Sequence, residues 1–193
     1  MANTLIDGLK ERISNAITVN QSVGILLPGN NYTDLITALF EHMRNKPEDA
    51  WVYLSITRPY DNIAKEFKDI PERKNIKFID CISRAAGMPP SEPNCIYIES
   101  PSLLEKIILE ITGIFRDLKD DVDKYLIIDS LSSLLIYNDD SLVTEFFTHL
   151  SNRTRMLGIH TVSLVIEEET DESLNKTLYL KSDKIIKVRE SFI

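Results

Sequence analysis

The chain has 193 residues, 43% apolar and 27% charged, with a net charge of -8 at pH 7, which is the balance of one globular domain with room for a sizeable core. The acidic sign argues against a general nucleic-acid surface, which needs clustered Lys and Arg, and no apolar run approaches the roughly 20 residues of a membrane span. The opening "MANTLIDGLKERISNAI" lacks the basic start and unbroken apolar stretch of a signal peptide, and Cys81 and Cys95 lie in apolar runs without disulfide or metal spacing, so buried thiols in a soluble, cytoplasmic protein are expected.

Leu5, Ile6, Leu9, Ile13 and Ala16 recur at helical spacing and predict an amphipathic helix within residues 1–20, attached to a core over 21–193. "SVGILLPG" reads as a buried strand ended by Pro28-Gly29. Leu35, Ile36, Leu39, Phe40 and Met43 then form one helical face, and "WVYLSIT" is a second strand. "YDNIAKEFKDIP" predicts a short helix with Asp61 as N-cap, followed by the strand "IKFIDCIS". The Pro-rich residues 84–94 are expected as a surface loop, and "CIYIES" as a short strand. Ser100 as N-cap and Pro101 at the first helical position open the next helix, with Leu104, Ile107, Ile108, Ile111 and Phe115 on one face. "KYLIIDSLSSLLIY" is a strand ending in Asp129, and "DDSLVTEFFTHLSNRTRMLG" is a helix closed by Gly158. "IHTVSLVIEEE" is a strand, "EEETDE" at 167–172 a solvated loop, and "TLYLKSDKIIKV" alternates across a polar turn like a terminal hairpin.

Strands alternate with helices, and the inner strands are apolar on both faces. Both features predict a single three-layer α/β/α domain around a mostly parallel sheet, with the antiparallel hairpin at one edge.

The stretch "ILLPGNNYTDLITALF" has the outline of a phosphate-binding loop: strand, tight turn, amphipathic helix. A working loop needs G-x-x-x-x-G-K-[ST], with glycine amides around the phosphates, a Lys for their charge and a hydroxyl for magnesium. With Thr33 in the last place, the first Gly falls on Leu26, the second on Asn31 and the Lys on Tyr32. Pro28, Gly29 and Thr33 survive. Asn31 tolerates the left-handed conformation, but the Tyr32 ring has no charge to offer and is expected to occupy the phosphate space. Asp34 suits the positive end of the helix dipole and adds negative charge where an anion would lie.

The run "YLIIDS" has the form of a Walker B strand, whose Asp orients magnesium through water. The series "ILLPGNNYTDL", "WVYLSITRPYDNIAKEF", "IKFIDCIS", "KYLIIDSLSSLL", "LGIHTVSLVIEE", over residues 20–190, resembles the RecA-like P-loop ATPases of the KaiC-like branch, widespread in archaea, with a degenerate Walker A motif. The resemblance implies a RecA-like core in which the strand at 159–166 lies between those at 23–27 and 124–129. It also implies acidic residues after the second strand, where they polarise the attacking water; Thr57 and Arg58 stand there instead. A positioned base is worth about 10²–10⁴-fold in rate.

These readings predict a vestigial nucleotide site made of Gly29, Asn30, Asn31, Tyr32, Thr33 and Asp129, with no catalytic residue and no resident cofactor. The expected function is an inactive regulatory or protein-interaction module, working through oligomers or by completing an active partner's site. The rival expectation is ATP binding with weak or no hydrolysis, with Thr33 and Asp129 as the magnesium ligands if the metal is bound; a nucleic-acid-binding relative of the recombinases is the third. Arg58 is expected as a solvated loop residue, His42 and His149 near the surface of helices, and His160 inside a strand. Arg153 and Arg155 complement a helix C-terminus, and Lys181 and Lys184 belong to the charged hairpin.

Overall fold

The computed structural model describes residues 2–90, 94–118 and 121–188, the side chains of residues 2–7 excepted. The expected contacts of Leu5 and Ile6 therefore lie outside the described residues, as do positions 91–93 of the Pro-rich loop. Among the described residues seven strands form one sheet: β1 (Ser22–Leu27), β2 (Ala50–Ser55), β3 (Ile76–Asp80), β4 (Cys95–Tyr97), β5 (Lys124–Asp129), β6 (His160–Ile166) and β7 (Lys184–Lys187). Their order is β4-β3-β2-β5-β6-β1-β7, and every pairing is parallel. The strand around 159–166 lies between its two expected neighbours.

Helices α1 (Ala2–Val19), α2 (Tyr32–Arg44) and α3 (Tyr60–Glu66) cover one face, and α4 (Leu104–Arg116), α5 (Asp140–Met156) and α6 (Glu172–Lys181) the other. The alternation of strand side chains builds both cores. Val23, Ile25 and Leu27 of β1 join the first, and Leu26 joins the second. Helix α1 is part of the first core, with Leu9, Ile13 and Ile17 buried. Cys81 and Cys95 are buried free thiols on opposite faces, and burial pushes the Cys95 thiol up to about 12.

Three local expectations are corrected. The antiparallel terminal hairpin does not form. Its first arm is α6, because Leu174 and Leu178 share a helical face and are both buried, and Asp171 caps the helix by accepting from Leu174 N at 2.7 Å. The second arm is β7, which runs parallel to β1. Asp61 sits inside the first turn of α3 rather than before it. The capping role falls to Asp80, at the end of β3, which takes the Tyr60 N–H at 2.7 Å. Ser100 caps a separate turn by accepting from Ser102 N at 3.2 Å, so α4 begins only at Leu104.

Candidate functional site

Strands β1, β5 and β6 are adjacent and end at the same edge of the sheet. In open α/β sheets the crevice outside the carboxyl ends of the strands is where ligands bind. After β1 the chain makes a single tight turn over Gly29–Asn31 and enters α2 directly. Asn31 has φ −95° and ψ 1°, so it does not use the left-handed conformation that its type allows. Its side chain is buried, and its Oδ1 has no hydrogen-bond partner among the described residues.

Tyr32 is the first residue of α2, and this places its ring across the crevice. Its hydroxyl lies 2.7 and 2.9 Å from the two carboxylate oxygens of Asp129. Tyr53, from the middle of β2, donates a short hydrogen bond to the same carboxylate, and Thr57 Oγ1 is 3.4 Å from it. Asp129 is 0% exposed. Burial pushes its carboxyl above the usual carboxylate range, against the pull of the Tyr32 and Tyr53 hydroxyls. Burial and then the Asp129 charge push both phenols upward, so both remain protonated donors.

Arg58 is not a solvated loop residue. Its side chain is 17% exposed, bound to Glu66 at 2.7 Å, and its guanidinium lies over the Tyr32 ring at 5.7 Å and the Phe67 ring at 5.9 Å. The acidic run after β6 is not a plain loop either. Glu168 accepts the Gly29 N–H at 2.9 Å, and Glu169 accepts from Ser133 Oγ at 2.9 Å. Thr57 and Ser133 stand 3.3 Å apart, and so join the Glu169 contact to the Asp129 cluster.

Of the expected site residues, the structure brings Tyr32 and Asp129 into direct contact and ties Gly29 to Glu168. Asn31 is buried beside them, while the side chains of Asn30 and Thr33 face solvent. Tyr53, Glu168 and Glu169 are additions. Tyr53 carries a usable signal, since a tyrosine in a fully buried strand needs an acceptor for its hydroxyl. The glutamates become legible once β6 is placed between β1 and β5, because residues that follow β6 must then emerge beside Gly29.

Of the histidines, His149 is exposed on α5 and His160 opens β6, as expected. His42 is not at the surface: it is buried on α2, edge-on to Trp51, and burial holds its ring below the usual histidine range.

No family model matches the chain, and no curated protein matches it in sequence. Solved structures do match. An uncharacterised protein, PH0321, from Pyrococcus horikoshii, solved with an unknown peptide, superposes with a TM-score of 0.66 at 15% identity, over 89% of this chain and 79% of that one. The KaiC-like protein PH0186 from the same organism gives 0.59 at 15% identity, over 90% and 76%. The flagellar accessory protein FlaH from Methanocaldococcus jannaschii gives 0.51 at 15% identity, over 86% and 70%.

The fold is RecA-like. At this level of identity the likeness concerns the fold alone. In a RecA-like frame, the β1–α2 turn and the end of β5 are the places where the resemblance puts phosphate and magnesium.

Proposed function

We propose that this RecA-like domain does not hydrolyse nucleotide and serves as a regulatory or protein-interaction module, through association with itself or with protein partners. The observation that carries the reading is the Tyr32–Asp129 contact: the phenol of the first α2 residue sits on the carboxylate that the resemblance assigns to magnesium. Glu168 supports it, because a carboxylate already occupies the Gly29 N–H that would face a phosphate. The donor set suits a magnesium triphosphate poorly. Among the described residues it offers carboxylates, phenols and the Thr57 and Ser133 hydroxyls, and the Arg58 guanidinium is engaged with Glu66 and two aromatic rings. That PH0321 was solved with a peptide is consistent with a fold that works through protein contacts.

Calorimetry with ATP and magnesium from micromolar to millimolar concentration tests this reading. Silence across the range is expected. Saturable micromolar binding would overturn it and make an altered nucleotide site, with Asp129 and Thr33 at its centre, the leading account. Sedimentation of the purified chain over the same protein range reads self-association.

A further inference from the structure

The flank of the domain formed by α4 and α5 carries an apolar groove. It runs between α4 and α5, which lie side by side, and continues over the turn at 132–136. Three adjoining hollows share Leu142 as a wall. Ten large apolar side chains are exposed among the described residues, and five of them, Leu103, Leu109, Ile136, Tyr137 and Leu142, lie here. Leu109 is 67% and Ile136 68% exposed. Scattered single exposures need no explanation, whereas a contiguous patch with a polar rim marks an interaction surface. The sequence source is α4, "LEKIILEITGIFR", apolar on two sides: Ile107, Ile111 and Phe115 face the sheet, and Leu109 faces out.

The rim is acidic. Glu105, Glu110, Asp139 and Glu145 line the hollows. Among the bases, Lys106 is held by Glu99 at 2.7 Å, His149 lies 3.5 Å from Glu145, and Arg153 stands at the far end toward the α5 C-terminus. The walls are helices whose backbone groups are already paired, so they offer no edge to an extended strand. A helix satisfies its own backbone and needs none.

We propose that this groove docks an amphipathic helix of a protein partner, with leucine-type side chains on its inner face and Lys or Arg on its flanks. The inference deepens the interaction reading above and rests on it. The apolar floor supplies the burial and the acidic rim the sign of charge. The length of α4 matches a partner helix of about 14 residues, about 20 Å long.

The test uses the full chain and a fluorescein-labelled helical probe of about 14 residues, with Leu at i, i+3, i+4 and i+7 and Lys on the flanks. A second probe carries Glu for every Lys. Anisotropy is read at about 0.15 M salt, where surface charges are screened beyond about 8 Å. The Lys probe is expected to saturate, and the Glu probe to bind at least about tenfold more weakly. Leu109→Lys with Leu142→Lys is expected to weaken the Lys probe by about tenfold or more. Leu180→Lys, at an exposed position on α6, is expected to leave it unchanged. Both altered positions in the groove are exposed, and a thermal melt checks that the variant stays folded.

Failure of the Lys probe to saturate overturns the proposal, as does equal binding of both probes or indifference to the groove variant. Concentration-dependent dimerisation that the same variant abolishes also overturns it, since a second copy would then cover the groove. Nucleotide binding in the calorimetry would instead overturn the reading of the crevice. A silent calorimetry with a failed probe overturns the groove alone.

Discussion

Two strands of this sheet end in a fully buried aspartate, and the two carboxylates are held in opposite ways. Asp80, at the end of β3, takes the backbone N–H groups of Tyr60, Ile82 and Ser83 at 2.7, 2.7 and 2.8 Å, and the Ser83 hydroxyl as well. Asp129, at the end of β5, is bonded at its side chain, among the described residues, by hydroxyls: Tyr32, Tyr53 and Thr57. Backbone donors are fixed by the fold and cannot be replaced by mutation. Side-chain donors are chosen residue by residue. Asp80 is thus part of the scaffold, nailing the start of α3 to β3. Asp129 sits in a site whose occupants are side chains, and in this sequence the occupants are tyrosines.

The sharpest break between the two comes from stability. Asp80→Ala strands two buried N–H groups and the part-buried N–H of Ile82, and is expected to cost about 3–5 kcal/mol in denaturant unfolding. A cost below about 1 kcal/mol would erase the distinction. Tyr53→Phe removes one fully buried donor and should cost about 2 kcal/mol by the same measurement. Tyr32→Phe removes a donor at the half-buried mouth and should cost about 1 kcal/mol. A double-mutant cycle of Tyr32→Phe with Asp129→Asn should return a coupling of about 0.5 kcal/mol or more, and additivity would show that the contact contributes nothing.

The pH dependence sharpens the comparison further. Burial holds the folded Asp129 above its ordinary value of 3.8, so the folded state keeps a proton that the unfolded state has lost. The wild type should therefore lose stability relative to Asp129→Asn as pH rises through the window from about 3.8 to the folded value, then level off. A slope of the opposite sign would mean that the hydroxyl bonds outweigh burial. The smallest effect belongs to Glu168→Ala: the Gly29 N–H is at the exposed rim and can turn to water, so the change should stay within about 0.5 kcal/mol.

The order of strands and helices was legible because the inner strands are apolar throughout while α2 and α4 repeat at helical period. The terminal segment misled for a physical reason. "TLYLK" alternates like a strand, but Leu174 and Leu178 sit four apart, and packing that face against the sheet favours helix α6 over a local pattern of period two. Tyr32 could be placed from its position in the broken loop. Arg58 could not, because its surroundings, Tyr32, Glu66 and Phe67, come together only once α3 docks. Glu168 and Glu169 read as solvated acids in sequence, since nothing local shows that β6 delivers them between two other loops.

The two outermost strands are the shortest paired elements of the sheet. At one margin β4 spans Cys95–Tyr97, and at the other β7 spans Lys184–Lys187, with both lysines exposed. Short margins and lysines are devices against strand-by-strand growth, because little unpaired backbone remains for a newcomer to template on. The sheet is therefore poorly suited to lengthening by addition of a foreign strand. Growth of the sheet itself is thereby discouraged at both margins, and the surface left open belongs to the two helical layers, whose outer faces are side chains rather than unpaired ladders.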